Sequence, residues 1–155
     1  MNAINEAERV LIIPELAATT KKEALRELAA AAVEQAPHLD PDQLSAILEA
    51  REELGSTGIG DGVAIPHGKV PGLAEVLVVL GRSSKGVPFA APDGRPIHLF
   101  FLLLAPSAAA ATYLSRLAEL ARFLRDSQVR ARLLQAESRE ELVASLRGEA
   151  GASYE

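Results

Sequence analysis

The sequence predicts a layered α/β domain, and two observations carry this prediction. Amphipathic helical patterns occupy both ends of the chain, whereas short, continuous apolar runs separated by turn residues occupy its middle. Continuous runs are typical of strands that are covered on both faces, so helices are expected on either side of a sheet. A length of 155 residues suits one such domain with a substantial core.

Two helices are predicted in the first third of the chain, after a weakly signalled strand at Val10–Ile13. Thr20 and Glu23 form a T-x-x-E capping box at the start of the first helix. Asp40 as the N-cap, with Pro41 in the first turn, begins the second helix. The residues expected to end the two helices are Pro37 and Gly55.

Three short strands are predicted in the middle of the chain. Their apolar runs are Val63–Ile65, Val76–Leu80 and Ile97–Leu104. The turn sequence Pro92–Pro96 separates the last two runs. Four glycines lie within the eight residues of Gly55–Gly62, directly before the first run.

Helices are predicted again in the last third of the chain. Asp126 or Ser127 caps a short helix there, and Ser138 and Glu141 form another capping box. The apolar stripe that predicts the first of these helices consists of Leu114, Leu117, Leu120, Ala121 and Leu124. One domain is therefore expected over residues 1–148, followed by a flexible tail over residues 149–155.

Composition argues against several classes of protein. The chain has no cysteine, so it has neither a disulfide framework nor a thiolate metal site. Its formal net charge is −5, no basic cluster exceeds Lys21-Lys22, and 4% of its residues are aromatic, so nucleic acid is not an expected partner. Since no apolar stretch is long enough to span a bilayer and the N-terminal residues lack the core of a secretory signal, a cytoplasmic protein without membrane insertion is expected.

His67 has the sequence surroundings best suited to chemistry near neutral pH. Pro66 fixes the backbone before it, and Gly68 leaves the backbone after it unobstructed. The competing interpretation is an ordinary turn histidine at the end of a strand. The other two histidines are interpreted as a surface residue, His38, and a satisfied core or edge residue, His98.

The glycine-rich segment Gly58–Gly62 lies just upstream and can bring bare backbone N–H groups close to an anion. An imidazole beside such donors is suited to accept a phosphoryl group. Arg51 projects from the apolar stripe in the last turn of the second helix. It either interacts with the helix C-terminus or points at the glycine-rich loop to neutralise a bound phosphate, and its nearness to Gly55 favours the second interpretation.

The segment Arg51–Lys69, which reads REELGSTGIGDGVAIPHGK, resembles the signature of type-2 EIIA domains. These domains belong to the bacterial phosphoenolpyruvate-dependent phosphotransferase system, in its fructose–mannitol and nitrogen-regulatory branches. The sequence of Gly55–Gly60 and the stand-alone length of the chain are most similar to those of the nitrogen-regulatory branch. The resemblance implies a three-layer α/β/α sandwich around a small mixed sheet.

The resemblance also implies roles for individual residues. His67 is expected to be phosphorylated on Nε2 by an HPr-type phosphocarrier, and Arg51 matches the active-site arginine of the family. Neither a metal nor an organic cofactor is implied. The residues expected to bind phosphate are Ser56, Thr57, Gly58, Gly60, Gly68 and Tyr113.

Tyr113 is a departure from the family pattern, because many members have a second active-site histidine at this position. A tyrosine hydroxyl donates one hydrogen bond but is not a cation near pH 7. Tyr113 either contacts phosphate or packs on its helix face, and we expect its hydroxyl to lie near His67 rather than in the core.

Three functional hypotheses follow. His67 relays phosphate to the IIB domain of a fructose- or mannitol-type transporter, or its phosphorylation state regulates which protein partners dock. The similarity of the signature sequence to the nitrogen-regulatory branch favours regulation. A fold relative without phosphoryl chemistry is the third hypothesis, which Tyr113 leaves open.

Overall fold

In the computed structural model of the protein the described residues are 9–108 and 110–147, so the predicted tail at 149–155 lies outside them. No helix within these residues is long and apolar enough to cross a membrane. The elements are β1 (Arg9–Ile13), α1 (Lys21–Gln35), α2 (Pro41–Glu53), β2 (Gly58–Gly60), β3 (Val63–Ala64), β4 (His67–Val70), β5 (Leu77–Val87), β6 (Ile97–Pro106), α3 (Ala110–Leu124), α4 (Ser127–Gln135) and α5 (Arg139–Leu146).

The sheet is built around β6. One edge of β6 pairs with β5 in the antiparallel sense, and its other edge pairs with β3 and then β4, both parallel to it. β1 lies parallel to β5, and β2 lies antiparallel to β3. The resulting order, β1-β5-β6-β3-β2 with β4 also beside β6, is the mixed sheet that the resemblance implies.

Alternate residues of β6 belong to two separate cores. The residues that pack with α1 and α2 are Phe100, Leu102 and Leu104. The residues that pack with α3, α4 and α5 are Leu99, Phe101 and Leu103. Because both faces of the strand are covered, its apolar run is continuous, and the predicted three-layer α/β/α sandwich is confirmed.

The sequence signals at the helix starts are confirmed. Thr20 caps α1 and Asp40 caps α2, each with a side-chain oxygen that accepts a backbone N–H of the first turn. Asp126, rather than Ser127, caps α4. Ser138 caps α5 in the same way.

The structure adds two strands that the sequence does not predict, β2 and β4, and it extends β5 to Val87. The residues of β2 and β4 are mostly small or polar and have weak strand propensity, so these segments are strands because β3 and β6 pair with them. His67 is consequently the first residue of a strand. The interpretation of His67 as a turn residue at the end of a strand is wrong.

Gly68 brings β4 close to α2. A Cβ atom at position 68 would lie 2.8 Å from Cγ2 of Ile47, closer than side chains pack. The expectation that Gly68 leaves the backbone unobstructed is therefore wrong, because its missing side chain allows direct contact between strand and helix.

We expect Gly68→Ala to lower the free energy of unfolding by about 1–3 kcal/mol, because overpacking forces side chains or backbone to shift. Chemical denaturation measures this change. The double variant Ile47→Ala/Gly68→Ala should lose less than the sum of the two single variants, because the first change removes the methyl group that the new Cβ meets. Strict additivity would contradict the proposed clash.

Candidate functional site

His67 lies at the sheet edge where α2 and α3 approach from opposite faces. Gly68 contacts α2, and successive residues of a strand point to opposite faces. His67 and Lys69 therefore point to the other face, where the ring of His67 lies 5.7 Å from that of Tyr113 in α3, measured between ring centroids. His67 is partly buried, whereas Lys69 is exposed.

Two hydrogen bonds fix the orientation and the tautomer of His67. Its Nδ1 lies 2.7 Å from the carbonyl oxygen of Ile65. Because a carbonyl oxygen only accepts, Nδ1 carries the proton and the lone pair of the neutral ring is on Nε2. Nε2 in turn accepts a hydrogen bond from Nε of Arg51 at 3.1 Å. Both contacts require the same tautomer.

The first interpretation of Arg51, an interaction at the C-terminus of its helix, is confirmed, whereas neutralisation of a bound phosphate stays a prediction. Its Nη1 donates to the carbonyl oxygen of Gly55 at 2.9 Å, beyond the end of α2. Its Nε contacts His67 at the same time. Arg51 is thus held by the turn that ends its helix and directed at the imidazole.

The pKa of His67 is lowered from its ordinary value of 6.5, chiefly because burial disfavours the charged ring. The carbonyl of Ile65 raises this pKa by stabilising the protonated form, the guanidinium of Arg51 lowers it, and the carboxylate of Glu52 raises it. The net result is a ring that is neutral near pH 7, which is the form of histidine that acts as a nucleophile.

Tyr113 is both beside His67 and part of the core. Its side chain is 7% exposed and belongs to the apolar cluster beneath α3. Burial raises the pKa of its phenol, and the charge of Arg51 acts in the opposite direction, so the hydroxyl stays protonated near pH 7. The prediction that Tyr113 lies beside His67 agrees with the position of its ring, the prediction that it lies outside the core is wrong, and its contact with phosphate stays a prediction.

The residues predicted to bind phosphate in the glycine-rich loop already have partners within the protein. Ser56 Oγ donates to the carbonyl oxygen of Phe89 at 2.9 Å and accepts the N–H of Gly58 at 3.1 Å. Both the N–H and the hydroxyl of Thr57 bond to the carboxylate of Glu52. These contacts order the loop, and its binding of phosphate stays a prediction.

The turn at the end of the glycine-rich loop also has a partner within the protein. Asp61 and Gly62 have φ angles of 56° and 78° and connect β2 to β3 as a two-residue hairpin turn. The N–H of Asp61 donates to Asp93 at 3.0 Å, and a Cβ atom at position 60 would lie 3.7 Å from Oδ2 of that carboxylate. The carboxylate of Asp93 therefore accepts the backbone N–H at this turn that a bound anion would otherwise accept.

Sequence reasoning missed two charged residues of the site. Glu52 is buried directly after Arg51 and holds the loop. Nζ of Lys69 lies 5.8 Å from the centroid of the Tyr113 ring. The sequence signal for Lys69 was its spacing of two residues from His67, which places both side chains on one face of a strand. Glu52 gave no signal, because an acidic residue at the end of a helix is ordinarily exposed.

The other histidines have separate partners, as predicted. His38 is exposed, and its Nε2 contacts the carbonyl oxygen of Gly72. Nδ1 of His98 contacts the carbonyl oxygen of Ser83. Within residues 9–108 and 110–147 no group of three or more histidine or carboxylate side chains is arranged to hold a metal ion.

Fold and site together define a small α/β protein built around an oriented, neutral imidazole. The model of the family described as "Phosphoenolpyruvate-dependent sugar phosphotransferase system, EIIA 2" matches residues 6–148. The chain belongs to this family, a group of phosphotransfer components, which confirms the resemblance.

Individual relatives refine this assignment. A nitrogen regulatory protein of Bradyrhizobium diazoefficiens is 43% identical over 122 residues, which are 79% of either chain. The fructose-specific EIIA component of Haloferax volcanii is 38% identical over 78% of this chain and 79% of that protein. The crystal structure of nitrogen regulatory protein IIA-Ntr from Neisseria meningitidis is 36% identical, with a TM-score of 0.79 over 88% of this chain and 91% of that one. These similarities support a phosphocarrier or regulatory IIA function within the phosphotransferase system.

We expect Arg51→Gln to raise the pKa of His67, because the variant removes a cation that disfavours protonation of the ring. NMR titration of the imidazole measures this pKa. Arg51→Lys keeps the charge and is the matched variant, in which the pKa should stay closer to that of the unchanged protein. An unchanged pKa in Arg51→Gln would contradict the contact between the two side chains.

The same lowered pKa predicts a pH dependence of stability. The unfolded chain binds a proton near the ordinary pKa of 6.5, whereas the folded chain binds it only at lower pH. The contribution of His67 to the free energy of unfolding is therefore fully present above that value and is lost as the pH falls through the folded-state pKa. In His67→Gln this part of the pH dependence should disappear from denaturation curves.

Proposed function

We propose that His67 accepts a phosphoryl group on Nε2 from an HPr-type phosphohistidine carrier, and that its phosphorylation state regulates which proteins bind. The observation that carries the proposal is the hydrogen bond from Nδ1 to the Ile65 carbonyl, which leaves the lone pair of this partly buried imidazole on Nε2. The protein then acts as a phosphotransferase component in the cytoplasm, without a metal or an organic cofactor.

In the proposed step the lone pair of Nε2 attacks the phosphorus of the donor phosphohistidine. The new N–P bond forms as the P–N bond of the donor breaks, and the donor imidazole keeps that electron pair. The proton on Nδ1 of His67 remains in place. Since the ring gains positive charge while the bond forms, the Ile65 carbonyl stabilises the product as well as the orientation.

Arg51 has to exchange partners during this step. Its Nε occupies the lone pair of Nε2 in the unphosphorylated protein, and phosphorylation replaces that acceptor with phosphate oxygens. The contact of Nη1 with Gly55 anchors the side chain, so a small rotation suffices to redirect the guanidinium. An arginine that is already in place neutralises the phosphoryl charge with little reorganisation.

Exposed apolar side chains beside the site support a protein rather than a small molecule as the donor. Leu54, which follows α2, is 84% exposed, and Leu114, which follows Tyr113, is 64% exposed. Large apolar groups with this exposure suit a protein interface.

The nitrogen regulatory relatives favour regulation over sugar uptake as the output. The fructose-specific relative supports a second candidate, in which His67 passes phosphate to a IIB domain. Incubating the phosphorylated protein with a fructose-type IIB domain separates the two. Rapid loss of label to IIB would favour relay, whereas retention of label with altered binding of a regulated partner would favour regulation.

We expect His67→Ala to abolish phosphorylation by phosphoenolpyruvate, enzyme I and an HPr-type carrier, because it removes the acceptor nitrogen. The label on the unchanged protein should be acid-labile and base-stable, as phosphohistidine is, and should map to His67 by mass spectrometry. His38→Ala and His98→Ala are the matched controls and should retain full labelling. Label that persists in His67→Ala would falsify the proposal.

We expect Tyr113→Phe to lose phosphate several-fold faster, because a hydrogen bond from its hydroxyl to phosphate contributes on the order of 1 kcal/mol. The decay of the phosphorylated protein measures this change. The phenylalanine ring retains the core packing, so the unfolding midpoint should change little. Tyr113→His should raise transfer to a downstream acceptor, and an unchanged decay in Tyr113→Phe would place the hydroxyl out of reach of the phosphate.

A further inference from the structure

Glu52 is a buried carboxylate with three polar contacts. It lies in the last turn of α2 beside Arg51 and is 8% exposed. Burying a charge costs free energy unless it is paired and hydrogen-bonded. The partners of the Glu52 carboxylate therefore indicate which parts of the structure it stabilises.

The first partner of Glu52 is a cation from another helix. Nζ of Lys21, the first residue of α1, lies 2.9 Å from Oε1 of Glu52. The same ammonium lies 4.5 Å above the centroid of the Phe89 ring and donates to the Phe89 carbonyl at 3.4 Å. Through Lys21, Glu52 thus connects α2 to α1 and to the segment that follows β5.

The second partner is the loop before β2. Oε1 of Glu52 accepts the N–H of Thr57 at 3.1 Å, and Oε2 accepts the hydroxyl of Thr57. Two bonds from one carboxylate fix both the backbone and the side chain of Thr57. This residue is itself 5% exposed.

A chain of hydrogen bonds continues from Thr57 to the imidazole. The carbonyl oxygen of Thr57 accepts the N–H of Ile65 at 3.0 Å. The carbonyl oxygen of Ile65 accepts the Nδ1 proton of His67 at 2.7 Å. Three successive links therefore connect Glu52 to His67, by way of Thr57 and Ile65.

We propose that Glu52 is a positioning residue that acts on His67 through this chain, by fixing the Ile65 carbonyl that keeps the proton on Nδ1. The carbonyl selects the tautomer only while its position is fixed, and that position depends on the backbone of Ile65, whose N–H is held by Thr57. Without Glu52 the loop loses the acceptors that fix Thr57. Loosening of the Ile65 carbonyl then leaves the selection of the tautomer to the contact of Nε2 with Arg51, so the fraction of rings that carry the proton on Nε2, the nitrogen proposed to attack, rises.

The inference deepens the proposed function of His67 and rests on it for its effect on rate. Its effect on the tautomer is independent of phosphorylation. The imidazole ¹⁵N chemical shifts distinguish the two tautomers in the unphosphorylated protein. Phosphoramidate, a small donor that releases ammonia as its P–N bond breaks, measures the reactivity of Nε2 without a protein partner.

Glu52→Gln keeps the shape of the side chain but removes its charge, and Thr57→Val removes only the hydroxyl link. In both variants we expect a mixture of imidazole tautomers and phosphorylation by phosphoramidate that is about fivefold slower, as the loss of one hydrogen bond predicts. Part of the label should move to Nδ1. Thr57→Ser retains the N–H and the hydroxyl and should restore the behaviour of the unchanged protein.

Glu53→Gln is the matched control, because it removes the same charge from the exposed neighbouring position of α2 and should alter neither measurement. If Glu52→Gln does not fold, Thr57→Val alone decides the test. Folded variants with a lower unfolding midpoint but an unchanged tautomer and rate would overturn the proposal, since Glu52 would then only stabilise the loop. If the unchanged protein is not phosphorylated while the tautomer still shifts in the variants, the proposed function fails and the positioning role stands.

Discussion

Pairing of β3 and β4 with one edge of β6 is the constraint on which the site depends. The two short strands lie along the same edge, and the segment between them is held by a hydrogen bond from the Leu103 N–H to the Pro66 carbonyl. This arrangement places the Ile65 carbonyl within reach of the His67 ring that follows it by two residues. Strand pairing therefore acts together with the Arg51 contact to set the tautomer of the imidazole.

Charge is distributed so that the imidazole stays neutral while a cation remains close to it. Burial and Arg51 lower the pKa of His67, and the Ile65 carbonyl and Glu52 oppose them. Glu52 itself forms an ion pair with Lys21, and the guanidinium of Arg51 contacts His67 and the Gly55 carbonyl. A cation beside a neutral nucleophile is the arrangement that transfer of a dianionic group requires.

Local sequence signals predicted the helices well and the strands only in part. The caps at Thr20, Asp40 and Ser138 depend on contacts within one turn, so they can be read from the sequence. β2 and β4 have no comparable local signal, because their residues become strands through pairing with distant segments. The expected open backbone at Gly68 was wrong for the same reason, since only packing against Ile47 of α2 explains that glycine.

The sequence by itself determined the family, the layered architecture and the candidate pair of His67 and Arg51, because the signature Arg51–Lys69 is one continuous segment and apolar periodicity reports burial directly. The tertiary structure alone decided which nitrogen of His67 carries the lone pair, since that depends on the carbonyl of Ile65 and the guanidinium of Arg51, which the fold brings to the ring. It alone also assigned Glu52 to the loop and placed Tyr113 both beside His67 and in the core. Burial and hydrogen-bond partners come from segments distant in sequence, so no local pattern encodes them.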